Sequence, residues 1–563
     1  MIKKLSSWLN LPDNYNSSSF RHDTVAGITV FIMLVPQGMA YALLAGLPPV
    51  MGLYASILPL LIYACFGSSR QLAIGPVAMA SILVFAGVSL LAEPQSTEYI
   101  SLVLLLTLMV GCIQFILGMV NAGTLVKFIS RNVINGFTSA VAIMIGLSQL
   151  GNFFGIQMAS QTQLFPLIAQ FVSNISQIHF PTALIGIGSL ALLAGLRKIK
   201  LPMPLVVVAG SILLVYFFRL DEAGVNIVGE VPQGLPSFTL PEVSLASMQL
   251  LLPTALTIAL IAMMESLAIT KTLAGRDSPP VNINKELRGI GLSNIGGSFF
   301  SAYPVTGSFS RSAVNQGAGA VSQISMIITA LGVLLTLLFL TPLFYYLPQA
   351  VLAAIILSAV SGLINFKSAR QVFRIKPSDG WVWVITFCST LLVGIQWGLL
   401  IGVGVSLCIL INRISHPHVA ELGWHAKTQS YRDLHRFPEA SAIPNITIVR
   451  IDARIHFSNV EYLEHYWEEK LKELERKHDD KSHLVIDMAG VNDIDTMGIE
   501  ALERLIQKYD TKEKLQIWLV NLKGPVYELL RQAGWEERFP ENIKYFTLSR
   551  LMTKIKPPTD YMI

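Results

Sequence analysis

Apolar residues fill most of this chain in long uninterrupted runs, rather than at the spacing of one face of a helix or strand. Residues 24–69, 132–196, 312–366 and 382–412 contain no Asp, Glu, Lys or Arg. A soluble helix needs a polar face and a β-barrel strand alternates, so neither class fits these runs. Because a membrane-spanning helix needs about 20 apolar residues, the runs predict transmembrane helices.

Pro and Gly residues divide these runs into about fourteen predicted spans, several of them short. The spans lie near residues 24–44, 51–66, 76–92, 100–119, 128–150, 181–196, 201–218, 249–274, 289–302, 308–318, 323–341, 345–363, 380–395 and 397–412.

The last part of the chain has a different pattern, in which strand and helix periods alternate. Strands are predicted over 446–457, 483–488 and 514–520, with helices over 459–476, from about 499, and over 524–533. This order predicts a small α/β domain. Residues 414–445 contain Pro417, Pro438 and Pro444 and are predicted as a linker.

Charge divides the chain at the same place. Charged residues make up 14% of the 563 residues, against about 25% in ordinary soluble domains. Residues 1–413 carry 20 Lys+Arg and 12 Asp+Glu, whereas residues 414–563 carry 21 and 24. A single soluble enzyme, a disordered chain and a nucleic-acid binder that relies on bulk positive charge are therefore excluded. The predicted organisation is a cytoplasmic segment (1–23), an all-α polytopic membrane domain (24–413), the linker (414–445) and the α/β domain (446–563).

Basic residues predict the orientation of the spans. They cluster at Lys3, Lys4 and Arg21, at Lys127 and Arg131, at Arg197, Lys198 and Lys200, at Lys271, Arg276, Lys285 and Arg288, and at Lys367, Arg370, Arg374 and Lys376. The fourteen predicted spans place all of these clusters on one side, with the acidic loops at Glu93 and Glu98 and from Asp221 to Glu242 on the other. Both termini are then cytoplasmic. The first 20 residues are polar, so no cleavable signal peptide is expected.

Five short motifs recur in the same order in the two halves of the membrane domain. The series begins with Gln37-Gly-Met-Ala40 and Glu265-Ser-Leu-Ala268, and ends with Pro76-Val77 and Pro304-Val305, at an offset of 228 both times. An odd number of spans in each half predicts an inverted repeat, as in secondary transporters. The alternative explanation of the matching motifs is a shared bias toward Gly, Pro and Ala.

Short apolar helices are predicted from about residues 77 and 308, and their facing N-termini would favour an anion.

Two ionisable residues stand out deep in the spans, Glu265 and Arg311. Arg311 follows Ser308 and Ser310 and could offer forked donors to an oxyanion, or could only pair with Glu265. Glu265 could carry a proton, ligate Na⁺ or serve as that structural partner.

The chain has no phosphate-binding loop of an ATPase, and the four cysteines and the isolated His179 show no metal-ligand spacing. No metal or cofactor is expected.

Two segments resemble the signatures of the sulfate permease family, solute carrier family 26. They are residues 37–54, QGMAYALLAGLPPVMGLY, and residues 294–315, NIGGSFFSAYPVTGSFSRSAVN. The resemblance implies a fold of the uracil-permease type, with about fourteen spans in a 7+7 inverted repeat. It also implies a core domain that moves against a gate domain, an anion held between spans 1, 3, 8 and 10, and a homodimer.

The resemblance also implies substrate-binding roles for Gln37, Val77, Ala78, Ser310 and Arg311, and Tyr41 and Ser308 complete the predicted set. Some bacterial members carry a carboxylate where this chain has Gln37, which shifts the expected coupling role to Glu265. The signature does not specify the anion, because relatives carry sulfate, bicarbonate, chloride or dicarboxylates.

The soluble part resembles the STAS domain, the anti-sigma-factor-antagonist fold. The resemblance rests on the order of its elements and on the turn Asp495-Thr-Met-Gly498. Antagonists carry a phosphorylated Ser where this chain has Met497, so that switch is expected to be lost. Thr496 is expected to be the N-cap of the following helix.

The function predicted from these observations is secondary transport, with sulfate import coupled to H⁺ in the bacterial inner membrane. A Na⁺-coupled bicarbonate or dicarboxylate symporter on the same scaffold is the first alternative. From another class, a membrane scaffold or regulator that recruits partners through the STAS domain is the second. The soluble part has no nucleophile–base set, so enzyme activity is not expected. Expected partners are the lipid bilayer and a second copy of the chain, bound through the membrane and STAS domains, with no nucleic acid.

Overall fold

The structure is a computed structural model that describes residues 11–12, 15–123, 130–158, 163–195, 203–273, 282–477, 481–509 and 515–555, the side chains of residues 271, 272 and 477 excepted. Several predictions therefore fall outside the described residues. They concern the basic residues Lys3, Lys4, Lys127, Arg197, Lys198, Lys200 and Arg276 and the repeat motifs at 274–275 and 279–281.

The chain forms two compact units, Met1–Leu407 and Cys408–Ile563, which are described separately. The described part of the first unit is almost entirely helical. Its helices are α1 Ser17–Leu44, α2 Pro49–Tyr54, α3 Leu58–Phe66, α4 Ala78–Val88, α5 Thr97–Met119, α6 Arg131–Ser148, α7 Leu150–Phe154, α8 Leu164–Ser173, α9 Phe180–Gly195, α10 Met203–Phe218, α11 Leu245–Leu273, α12 Ile283–Ser298, α13 Phe309–Gly317, α14 Ile324–Leu335, α15 Gln349–Ser361, α16 Phe366–Ile375, α17 Pro377–Leu392 and α18 Ile395–Ser415, the last of which continues into the second unit.

A helix lies in each of the predicted spans. Within the described residues, 8 helical stretches are long and apolar enough to cross a membrane, and shorter apolar helices such as α4, α9 and α10 accompany them. One expectation was wrong. The short helix predicted near 308 is not apolar, because α13 buries Arg311, Ser312 and Asn315.

Side-chain caps and prolines fix several helix starts. Ser96 Oγ accepts a hydrogen bond from Tyr99 N at 3.1 Å at the start of α5. Asn282 and Asn365 cap α12 and α16 in the same way. Pro49 and Pro377 occupy the first turns of α2 and α17, where a missing N–H does no harm.

The helices of the first unit pack as two groups. The core group contains α1–α5 and α11–α14, with α12 packed against α5 and α3 and α14 against α1. The gate group contains α6–α10 and α15–α18, with α17 packed against α6 and α9 against α15. Glycines permit α5 and α12 to cross closely in the core group. A Cβ atom at Gly111 would lie 2.6 Å from Ile295 N, and one at Gly291 would lie 2.6 Å from Phe115 N.

Two very short strands cross in the middle of the core group. β1 (Ile74–Gly75) pairs antiparallel with β2 (Thr306–Gly307), with Ile74 opposite Gly307. β1 leads into α4 and β2 leads into α13, so the crossing brings the two helix starts together. Pro76-Val77 follows β1, whereas Pro304-Val305 precedes β2. The last motif of the sequence repeat therefore does not join equivalent positions of the two halves.

The extended backbone at this crossing is hydrogen-bonded. Ser308 N donates to Ala73 O at 2.9 Å, and Ala73 N donates to Ser312 Oγ at 2.8 Å. Gly307 N donates to Ser266 Oγ of α11 at 3.2 Å. Non-helical backbone at this depth is tolerated because the protein itself supplies these partners.

The second unit contains a five-stranded sheet of order β4-β3-β5-β6-β7. Its strands are β3 Val419–His425, β4 Ser430–Asp433, β5 Ile446–Ile451, β6 Ser482–Asp487 and β7 Leu515–Val520. The last three are parallel and the first two antiparallel. Its helices are α19 Val460–Lys477, α20 Thr496–Tyr509, α21 Gly524–Gln532, α22 Trp535–Arg538 and α23 Leu548–Ile555. The fully buried side chains of Trp467 and Trp535 belong to its core.

The second unit differs from the sequence prediction at three points. Residues 414–445, predicted as a linker, contain β3 and β4, and β3 pairs with β5. The strand predicted over 446–457 already ends at Ile451. Asp495 rather than Thr496 caps α20, since Gly498 N donates to Asp495 Oδ1 at 2.8 Å.

Candidate anion-binding site

The start of α4 is a helix end inside the core group. Val77 has an extended backbone (φ −139°, ψ 149°), and no side chain caps the helix. All residues of α4 are buried, from Ala78 to Val88. The first N–H groups of a helix have no partner within it, and the helix dipole adds partial positive charge there. The start of α4 is therefore suited to an anion.

The start of α13 lies beside it and carries hydroxyl groups. Ser308 is the N-cap, and its Oγ accepts from Arg311 N at 3.5 Å. The hydroxyls of Ser308 and Ser310 are 3.3 Å apart. Ser308 is buried, whereas Ser310 is exposed. The two serines thus give this helix start one inward and one accessible hydroxyl.

Arg311 is the charged group at the crossing. Its side chain is fully buried, and Nε, Nη1 and Nη2 make no hydrogen bond with any described residue. A Cβ atom added at Gly75 would lie 3.3 Å from Arg311 Nη2, so the glycine (φ 144°) leaves room for the guanidinium beside β1. A buried cation without a partner is costly, and a bound oxyanion would supply the missing acceptors.

Two tyrosine hydroxyls lie within electrostatic reach of the guanidinium, those of Tyr41 and Tyr303. Tyr41 is buried on α1, one turn after Gln37 on the same face. Gln37 is also buried, and its Oε1 has no hydrogen-bond donor among the described residues. Ser81 Oγ of α4 donates to Tyr303 Oη at 3.4 Å. Sequence reasoning missed Tyr303, although it lies within the second signature segment.

Glu265 lies on α11, apart from Arg311. It is half-buried and makes no ion pair or hydrogen bond with the residues that the structure describes. The pairing with Arg311 that the sequence left open is thus not formed. The same turn of α11 holds β2, because Thr306 Oγ1 lies 3.1 Å from both Ala262 O and Ser266 Oγ. The side chain of Lys271 lies outside the described part of the chain.

Two further buried carboxylates escaped the sequence prediction. Glu286 accepts from Tyr63 Oη at 2.5 Å, from Ser68 N and Oγ at 3.0 and 2.8 Å, and from Ser69 N at 3.2 Å. Asp23 accepts from Val321 N at 2.7 Å, from Ser322 N at 3.0 Å and Oγ at 2.5 Å, and from Tyr15 Oη at 2.9 Å. Both are fully satisfied, so they hold connections in place rather than offer a site.

A cavity of about 520 Å³ lies elsewhere, between α1 and α4 of the core group and α6 and α7 of the gate group. Its lining includes Leu43, Ile82, Phe85, Gln149 and Asn152, and none of the predicted site residues. In the described part of the chain, no three His, Cys, Asp or Glu side chains could together hold a metal ion.

A bundle of apolar helices with two opposed helix starts and an unpartnered buried guanidinium defines a multi-pass membrane protein with a positively charged interior. The model of the Sulfate permease family matches residues 20–386, and the model of the STAS domain matches residues 437–547. The chain belongs to the sulfate permease family.

Among its relatives are two proteins of Arabidopsis thaliana. Probable sulfate transporter 4.2 is 42% identical over 92% of this chain and 78% of that protein. Sulfate transporter 4.1, chloroplastic, is 40% identical over the same shares. A solved structure of the murine Solute Carrier 26 family member A9 anion transporter, in the inward-facing state, is 27% identical. It covers 97% of this chain and 93% of that chain, with a TM-score of 0.86.

These matches confirm the family resemblance and the predicted fold class, a helical polytopic membrane domain followed by an α/β STAS domain. They also establish that the chain is a membrane anion transporter and not an enzyme.

Proposed function

We propose that this protein imports sulfate together with protons, and that the anion binds between the starts of α4 and α13. The observation that carries the proposal is the fully buried guanidinium of Arg311 with three nitrogens unpartnered. Two helix dipoles and one permanent charge suit an anion of two negative charges. The other groups proposed to contact the anion are the hydroxyls of Ser308, Ser310 and Tyr41 and the amide of Gln37.

Sulfate is favoured over other anions because the relatives at 42% and 40% identity are both named sulfate transporters. Four oxygens arranged as a tetrahedron can accept from a forked guanidinium and from helix N–H groups at the same time. Bicarbonate and dicarboxylates, which lack this geometry, serve as competitors in the test below.

Glu265 is proposed as the proton carrier. It is the half-buried carboxyl on the turn of α11 that binds β2, and β2 ends directly before Ser308. Protonation would remove a negative charge from the neighbourhood of the anion path, so that the anion and the proton favour each other's binding. This link through β2 supports the proposal, because proton binding and anion binding would then act on adjoining parts of the chain.

Transport is proposed to proceed by movement of the core group against the gate group, which carries the site across the membrane. The proposed site residues lie on α1, α4, α11 and α13, next to the two strands, and all of these elements belong to the core group. A core that contains the whole site can move as one body without breaking it. Cytoplasmic termini, a plasma-membrane location and a homodimer complete the proposal.

Uptake into proteoliposomes tests this function. Purified full-length protein is reconstituted, and radiolabelled sulfate uptake is measured with an inward pH gradient, with an inward Na⁺ gradient and with neither. Accumulation under the pH gradient alone, reduced by unlabelled sulfate, is the expected result. Protein-free liposomes and a protonophore provide the controls.

Other outcomes identify the alternatives. Na⁺-driven uptake that unlabelled bicarbonate or fumarate suppresses would replace the proposal with a sodium symporter. Failure to carry any labelled anion, in protein shown to be folded by its melting curve, would favour a scaffold that acts through the STAS domain.

A further inference from the structure

The helix α16 carries an exposed basic stripe. Lys367, Arg370 and Arg374 are spaced i, i+3 and i+7, which places them on one face of the helix. Lys376 follows at its end, and all four side chains are exposed. None of them makes an ion pair or hydrogen bond with a described residue. The positive charge of this face is therefore not neutralised within the described protein.

The aromatic side of α16, next to the basic stripe, packs along α17. Phe366 makes edge-on contacts with Trp383 and Phe387, with ring centroids 6.0 and 5.8 Å apart. Phe373 contacts Trp381 in the same way at 5.8 Å. Only one residue separates the two helices, so α16 is fixed to the start of an apolar helix.

Trp381 marks the level of this helix pair in the membrane. It lies in the first turns of α17, and its side chain is 55% exposed. Exposed Trp residues at the ends of apolar helices are typical of the membrane–water interface. At that level a basic stripe would lie beside the phosphates of the lipid headgroups, and an anionic lipid surface strengthens binding about fivefold for each Lys or Arg near it.

We propose that α16 is an interfacial helix that binds the phosphate headgroups of anionic phospholipids. Its basic stripe binds the phosphates and its aromatic face anchors it to α17. The alternative partner of the basic stripe is the second unit, because residues 414–563 carry 24 Asp+Glu against 21 Lys+Arg. The lipid is favoured because the stripe is joined, within one turn, to an exposed interfacial Trp and an apolar helix. This proposal does not depend on which anion is transported.

The test uses the full chain in detergent, titrated with short-chain phosphatidylglycerol or phosphatidylcholine and followed by native mass spectrometry. The variant combines Lys367→Gln, Arg370→Gln and Arg374→Gln. The charge-matched control combines Arg531→Gln, Arg550→Gln and Lys554→Gln, which lie in the second unit. Phosphatidylglycerol binding to the variant is expected to weaken roughly 100-fold, because each of the three basic residues contributes about fivefold. Phosphatidylcholine binding and the control are expected to stay unchanged.

Two results would overturn the proposal. The first is unchanged phosphatidylglycerol binding in the variant; if proteolysis of residues 408–563 also becomes faster, the second unit is the partner of the stripe. The second is equal competition by glycerol phosphate, which lacks acyl chains and would indicate a site for soluble anions. If the variant melts at a lower temperature, a second variant that keeps the three charges is used, Lys367→Arg with Arg370→Lys and Arg374→Lys. It must bind phosphatidylglycerol like the parent.

Discussion

Arg311 carries a permanent charge that the described residues leave unpaired. Its removal is expected to change both sulfate affinity and the stability of the sulfate-free protein. Arg311→Gln is expected to weaken sulfate binding by roughly 10–100-fold, because hydrogen bonds to a charged group are worth about 1.5–3 kcal/mol. The sulfate-free variant is expected to melt no lower than the parent, since removing an unpaired buried charge relieves its desolvation. Sulfate-induced thermal stabilisation in detergent measures both effects.

The exposed Arg219, which pairs with Glu222 at 3.3 Å, gives the matched control Arg219→Gln. That variant should bind sulfate like the parent. Parental affinity in Arg311→Gln would remove Arg311 from the site.

Glu265 tests the coupling proposal separately from binding. Glu265→Gln keeps the shape of the side chain but cannot lose or gain the proton at neutral pH. Accumulation of sulfate driven by a pH gradient is expected to disappear, while exchange of labelled for unlabelled sulfate continues. The exposed Glu98→Gln is the control. Undiminished pH-driven accumulation in Glu265→Gln would exclude this residue as the proton carrier.

The stability of the second unit is expected to depend on pH through His483. Burial, with a smaller effect of Lys481, lowers its pKa to about 4. Trp518 Nε1 donates to His483 Nδ1 at 3.2 Å, which requires the unprotonated ring. As the pH falls, the unfolded chain takes up this proton first. Stability present above about pH 6.5 is therefore lost progressively toward pH 4.

Hydrogen exchange of β6 and β7 in the full-length protein, corrected for intrinsic rates, measures this loss. His483→Gln keeps an acceptor for Trp518 without a titrating group, so its protection should depend less on pH. An equal loss of protection in the variant and the parent would assign the effect to other groups.

At the scale of elements, Glu286 connects α12 to the segment that leads into β1. Its oxygens accept from Tyr63, Ser68 and Ser69, and they align the approach to the start of α4. Glu286→Gln puts an amide group against these donors and is expected to cost about 3 kcal/mol of stability, the value of one or two charged hydrogen bonds. Melting curves of Glu286→Gln and of Glu98→Gln measure the difference. Equal melting temperatures would contradict this role.

Most of the helices were predictable because a helix that crosses a membrane is apolar along most of its length, and a helix lies in each predicted span. The strands β1 and β2 were not, since two residues carry no periodicity and their pairing joins distant segments. Glu286 was missed because Lys285 and Arg288 beside it made the segment look like a loop. β3 and β4 were missed because prolines and polar residues surround them.

The site was predictable in part. Arg311 and Glu265 attract notice because charge inside an apolar run needs a reason. Sequence alone did not show that the two are unpaired, nor that Tyr303 lies near the guanidinium. Those facts depend on which faces of α11 and α13 turn toward each other, which is a property of the packed core.

At the scale of the whole molecule, core and gate are expected to move relative to each other. Leu43→Cys with Gln149→Cys would place one thiol on each group, across the cavity that both residues line. Bridging them with a bifunctional thiol reagent is expected to stop sulfate uptake, and a cleavable reagent should restore it on reduction. The four native cysteines, Cys65, Cys112, Cys388 and Cys408, are first replaced by Ala.

The control pair lies within the core group, Leu44→Cys with Phe85→Cys, which line the same cavity. Bridging that pair should leave uptake intact. Full uptake by the bridged core–gate pair would contradict the relative movement.

The strand crossing also constrains how the protein is made. Ala73 donates to Ser312, which the ribosome adds 239 residues later. At about 5–20 residues per second, this partner arrives roughly 10–50 s after Ala73 has been synthesised. During that interval the first half has a helix start and an extended strand in the membrane without the backbone partners that they have in the finished fold. We therefore expect the segment around Ala73 to be kept away from lipid until the second half of the membrane domain has been inserted.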